Sequence, residues 1–245
     1  MITSFATPSE MTADIDTSNR LNPVRIIWQI GAILALWPLI KAIPGLPYAG
    51  QVYMFFSVLL ATWFLRRDGE TWRDLGLRWA ERRGGVLKGA GMVVAIFALS
   101  IMMNAFVQFA LLPALGLPVE RTLPDVSTLT LYLIMIGIIW TTNAFGEEMV
   151  FRGFLMSRFS TLFGGTRFAW ILAAFAQSVI FGLGHAYQGT AGIVVTGFVG
   201  LVFGLSYLLS KRNLWPVIIA HGLINTIGMT VLHLQATGAM GTPVS

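Results

Sequence analysis

Leu129-Thr-Leu-Tyr-Leu-Ile-Met-Ile-Gly-Ile-Ile-Trp-Thr-Thr-Asn-Ala-Phe-Gly146 runs without a charge and then meets Glu147-Glu148-Met-Val-Phe-Arg152. A helix crossing the hydrocarbon core of a bilayer takes about 20 mostly apolar residues. The uncharged stretch therefore reads as a membrane span, and the charged hexapeptide as its end. Working outward, six more apolar runs can be drawn, approximately Ile26–Ile43, Tyr48–Leu65, Val86–Leu112, Phe168–His185, Gly192–Leu209 and Leu214–Leu234. The chain has 245 residues, of which 56% are hydrophobic and only 11% charged. Soluble domains carry about 25% charged residues, so a water-exposed globule is excluded. The expected fold is all-α, a polytopic transmembrane helical bundle of about seven spans.

Charge placement supports the count. When Lys and Arg are assigned to alternating sides of seven spans, only Lys41 and Arg121 of the 16 fall on one side. Such a bias places the N-terminus in the cytoplasm and the C-terminus outside. Lys41, near the end of the first run, is read as snorkelling to the interface. The net charge of +5 then serves topology and anionic headgroups, and a nucleic-acid partner is not expected. The expected setting is an integral membrane protein, with the lipid bilayer as a partner. The chain has no cysteine, which excludes disulfides, thiolate metal sites and a Cys nucleophile.

Residues 1–24 carry Glu10, Asp14 and Asp16 and lack a basic start and a small-residue cleavage site, so they read as a disordered cytoplasmic tail. Residues 25–128 hold the N-terminal helices. Within them the basic segment 66–85 interleaves Trp72, Leu75, Leu77 and Trp79 with charges. It reads as a helix or turn lying on the interface, or equally as a solvated loop. Residues 129–234 form the core and 235–245 a second tail. Phe154–Phe163 is expected to be a connector closed by Gly164–Gly165. Gly197, Gly200 and Gly204 in the sixth run allow close helix approach, for packing within the bundle or, less favourably, for a homodimer.

Ionisable groups at membrane depth are costly and persist where they pair, line a cavity or do work. Glu148 and Arg152 are four apart and share a helical face, so each can fix the other. Glu147 points elsewhere and is left free to act as a base. A cluster of charges capping a span explains the same residues without chemistry. In Phe181-Gly-Leu-Gly-His185, Phe181 and His185 share a face, and Gly182 and Gly184 are expected to clear space around the imidazole. His221 and Asn225, one turn apart, can aim two hydrogen-bonding groups at one point, as an oxyanion hole or as an interhelical tie. His233 has no such partner and reads as structural. Together the three clusters fit a base, a second proton-handling group and an oxyanion site. They pull against the seven strict crossings. With Glu147 at a cytoplasmic end and His185 near the outside, the fifth span must start late, tilt or break.

The motifs EExxxR, FxxxH and HxxxN, here Glu147-Glu148…Arg152, Phe181…His185 and His221…Asn225, resemble the signature of the CAAX protease and bacteriocin-processing family (CPBP, or Abi). The resemblance covers about Leu129–Leu234, and Thr71-Trp72-Arg-Asp-Leu75-Gly-Leu77 resembles a segment often seen upstream in bacterial members. It implies an intramembrane endopeptidase without a cofactor. In it Glu147 and His185 would activate water, His221 and Asn225 would form the oxyanion hole, and Glu148 and Arg152 would support the site. The partner implied is a peptide or protein substrate at the membrane, and the setting implied is a bacterial cytoplasmic membrane. Two other readings stay open from the residues. In one, zinc is held by Glu147 or Glu148 with His185 and His221. In the other, the polar residues of a non-catalytic protein tie the bundle together or bind a peptide, as in bacteriocin immunity.

Overall fold

Asn22, Thr128, Thr166 and Asn213 turn apolar runs into helix starts. Each side-chain oxygen accepts a hydrogen bond from a backbone N–H two or three residues on, at Val24, Leu131, Ala169 and Trp215 respectively. This satisfies donors that a helix cannot pair internally. The computed structural model describes residues 22–78, 83–118 and 124–240. Among them there is no strand, and seven helices are long and apolar enough to cross a membrane. They are α1 Pro23–Lys41, α2 Ala49–Asp68, α3 Gly85–Ala114, α4 Leu129–Leu162, α5 Arg167–Gly184, α6 Ala186–Leu209 and α7 Leu214–Ala236. Large apolar side chains such as Val24, Phe55, Phe109, Phe168 and Leu209 point outward, as expected where the surroundings are hydrocarbon. The tail predicted at residues 1–24 lies outside the described residues except at its end, where Asn22 caps α1. The second tail begins within the last turn of α7, and residues 241–245 lie outside them.

The largest departure from the sequence reading is α4. The fourth run does not end at Gly146, and Phe154–Phe163 is not a connector. The helix runs on to Leu162, 34 residues in all. It starts as α, widens into π turns over Ile139–Leu155 and returns to α over Met156–Leu162. An α-helix of that length measures roughly 50 Å at about 1.5 Å per residue, well beyond the hydrocarbon core. Glu147, Glu148 and Arg152 therefore sit near the middle of a long helix and not at its end. The reason is burial. Phe151, Phe154, Leu155 and Met156 are all core residues, so the segment after the charges packs inside the bundle instead of leaving it. Arg152 and Arg158 are likewise buried and are not loop charges. Removing both from the topology count leaves it strongly one-sided.

Below the carboxylates, α4 is locked to the ends of α1 and α2. Arg158 donates from Nε to Gln29 Oε1 (2.7 Å) and from Nη2 to Asp68 Oδ2 (3.0 Å) and Glu70 Oε2 (2.6 Å). Asp68 also pairs with Arg25. Of the segment predicted at 66–85, residues 79–82 with Trp79 lie outside the described residues, and residues 69–78 after α2 form turns, not a helix. Thr71 donates twice to Asp74, and these bonds hold the Asp74 carboxyl below its ordinary range. Trp72 Nε1 donates to Thr62, and the buried Leu75 accepts at its carbonyl from Tyr207 Oη. Gly76, at φ +100°, lies against the Arg212 carbonyl, where no Cβ fits. Its own carbonyl accepts from Leu214 N (3.0 Å). The segment is a strap tied to the α6–α7 turn.

The small residues of α6 serve packing within the bundle. A Cβ on Gly200 would lie 3.0 Å from Phe181, and one on Gly204 would lie 2.8 Å from Gln177. Gly182 belongs to the same seam. A Cβ there would come within 2.6 Å of the Ile193 carbonyl, so its role is close approach of α5 and α6. It does not clear space around His185 as expected, whereas Gly184 does face open space.

Candidate active site

The wide π turns of α4 bring two consecutive carboxylates into different surroundings, and π turns recur at functional sites. Glu148 is fully buried. Its Oε1 accepts from Arg152 Nη1 at 3.0 Å and from His221 Nδ1 at 2.8 Å. The Arg152 guanidinium also donates to the Gly200 carbonyl (3.1 Å) and lies over the rings of Phe181 (4.6 Å) and Phe203 (5.3 Å). Its charge is thus neutralised by a carboxylate and bounded by aromatic faces, which is how a buried cation is tolerated. Glu148 and Arg152 are thus tied to each other and to neighbouring helices, with only Glu148 Oε2 and Arg152 Nε left without a hydrogen-bond partner among the described residues.

Glu147 is different. It lines a cavity of about 580 Å³. His221 Nε2 stands 4.0 Å from its Oε2, and His221 also packs on Phe203. His221 is therefore shared, with Nδ1 on the structural carboxylate and Nε2 toward the free one. His185 lines the same cavity as Glu147. It follows the last turn of α5, where Nδ1 lies 2.8 Å from the Phe181 carbonyl and the ring tilts against Phe181. A carbonyl only accepts, so Nδ1 carries the proton and Nε2 of the neutral ring is left as an acceptor.

The conflict between depth and topology disappears with the longer α4. Because that helix continues beyond the carboxylates, the Glu147 level lies beside the far end of α5 and its following turn. The fifth span needs no break.

Of the six residues predicted from sequence, Glu148, Arg152 and His221 form one hydrogen-bonded cluster, Glu147 stands 4.0 Å from its His221, and His185 lines the same cavity as Glu147. Asn225 does not join it. It is half-buried one turn beyond His221, makes no hydrogen bond among the described residues and is not part of the cavity wall. Asn143, one turn before Glu147, is in the wall. His233 is satisfied by the Val126 carbonyl (2.6 Å) and stacks on Tyr132, as a structural residue should.

Sequence reasoning missed the far wall. Trp37 and Lys41 of α1 and Ala49, Tyr53 and Met54 of α2 close the cavity opposite Glu147. Lys41 does not simply snorkel. It stands at the cavity rim over the Trp37 ring, 5.2 Å from its centroid. One signal was available, a lone cation ending an otherwise uncharged run.

Residues 128–227 match the family model described as "Type II CAAX prenyl endopeptidase Rce1-like". The match takes in α4 to α7 up to Ile227, so it includes every predicted site residue and none of the far wall. No curated protein and no solved structure matches the chain.

Proposed function

We propose, from the premise that this chain belongs to the CAAX protease and bacteriocin-processing family of membrane endopeptidases, that it cleaves peptide bonds with water activated between Glu147 and His185. It is an integral membrane protein of seven spanning helices. The observation that carries the reading is the shared cavity. Glu147, relieved of structural duty by Glu148, faces it together with a histidine whose free nitrogen is an acceptor.

The chemistry follows from the hydrogen-bond directions. A water between the two groups gives one proton to the Glu147 carboxylate and hydrogen-bonds through the other to His185 Nε2. Its oxygen attacks the peptide carbonyl, and the oxyanion of the tetrahedral intermediate needs donors in a dry site. His221 Nε2, which faces the cavity carboxylate from 4.0 Å, is placed to supply one whenever it carries a proton. Asn225 is the second donor implied by the family pattern. Collapse of the intermediate breaks the C–N bond, and Glu147 returns its proton to the leaving amine. Glu148 and Arg152 hold His221 and the helix in register.

The apolar wall of Trp37, Met54, Phe151 and Phe181 supports a membrane-associated or lipidated peptide as substrate. Residues 129–234 are the catalytic core in this reading, with α1 and α2 contributing the substrate wall. The setting is a bacterial cytoplasmic membrane with the basic loops inside. The test is an unbiased comparison of membrane peptides from cells carrying the wild type or Glu147→Ala. Cleavage products should vanish in the variant while its protein level is kept. An unchanged product set would reject the reading.

A further inference from the structure

The two ends of the bundle differ in charge, and the cavity belongs to one of them. Arg25, Arg66, Arg67, Arg73, Arg78, Arg167, Lys211 and Arg212 gather at the end formed by the start of α1, the α2–α3 strap and the α4–α5 and α6–α7 turns. Hydrogen bonds join these parts into one face. Arg78 donates to the Lys211 carbonyl, and Arg158 of α4 reaches Asp68 and Glu70 after α2. The opposite face holds the α1–α2 and α5–α6 turns and the end of α7.

Every wall element of the cavity meets that opposite face, α1 and α5 ending there and α2 and α4 beginning there. The rim is Lys41 at the end of α1, Gly50 at the start of α2, and Tyr187 in the turn after α5, all exposed. The floor is Met54, Phe151 and Phe181, all buried. Beneath the floor, Arg152, Phe154, Leu155, Met156 and Arg158 form a layer with at most 1% exposure. Among the described residues, none of the basic face lines the cavity that holds Glu147. Basic loops remain in the cytoplasm because moving them across is unfavourable.

We propose that the cavity takes its substrate from the extracytoplasmic face, so that the peptide cleaved is an exported or outer-leaflet segment. This rests on the peptidase reading for what happens to the peptide, but not for the direction of entry. Glu147 is reached by an extended segment passing Lys41 and Tyr187, and a chain anchored on the cytoplasmic leaflet meets only the closed layer.

The absence of native cysteines gives a clean test. Gln51→Cys places one thiol in the cavity wall, and Arg167→Cys places one on the basic face. A bulky membrane-impermeant maleimide is applied to intact cells and to permeabilised cells. Gln51→Cys should label in intact cells, and Arg167→Cys only after permeabilisation. The reverse pattern overturns the proposal. In purified protein that cleaves a peptide, the maleimide should abolish cleavage by Gln51→Cys relative to its unlabelled form and leave Arg167→Cys unaffected. Block from the Arg167 side alone also overturns it. Cleavage surviving Glu147→Gln would instead remove the base assignment and leave the labelling result standing.

Discussion

Arg152 and Arg158 lie on the same helix, are equally buried and each bind carboxylates, yet they build opposite things. Around Arg158 the acceptors are used up. Asp68, Glu70 and Gln29 converge on one guanidinium, and Asp68 is shared with Arg25. Around Arg152 there is one carboxylate more than the arginine engages. Glu148 takes the guanidinium and an imidazole, and Glu147 is left at a cavity with a second imidazole. A buried charge inside a membrane protein is therefore not itself a sign of chemistry. The sign is an ionisable group in excess of its partners, beside space for a ligand.

Substitution of each arginine breaks the comparison apart. Arg152→Met should lose both properties. It removes the cation partner of buried Glu148, which costs about 3–5 kcal/mol when one partner of a buried pair is removed, and it loosens the carboxylate that holds His221, so turnover of any folded fraction falls as well. Arg158→Met should cost a similar order of stability, measured by thermal unfolding in detergent. Its folded fraction should cleave at the wild-type rate. Equal loss of specific activity in both variants would erase the distinction drawn between them.

His185→Ala comes next, with a fall in turnover of about 10²- to 10⁴-fold and little change in unfolding temperature, since His185 bonds only to its own helix. Asn225→Ala should lower kcat by about 10²-fold if its amide meets the oxyanion. Its present distance from the cavity makes this the prediction most able to revise the donor set. The smallest expected effect is that of a strong zinc chelator, which should leave turnover of the dialysed protein unchanged. Loss on chelation with recovery on adding zinc would favour the metal alternative.

The seven helices were legible because each apolar run is long and the charges alternate between sides. The site was legible as three short motifs. What was hidden concerns tertiary burial. Gly146 followed by two glutamates looks like the end of a span, since charge normally marks the interface. Nothing local in the sequence says that Phe151, Phe154 and Leu155 carry the helix on through the core. Gly182 looked like space for His185 because it is near in sequence, whereas the residues it touches, Ile193 and Gly197, lie on the next helix. The cavity wall from α1 and α2 carries no motif and was invisible for that reason.

The division between the two carboxylates is tested most directly by single-turnover cleavage with purified Glu147→Gln in lipid nanodiscs. Glutamine keeps the shape and removes the base. The account predicts an intact fold and a cleavage rate lower by about 10²- to 10⁴-fold. A rate within about threefold of wild type, less than 1 kcal/mol in the barrier, would contradict it.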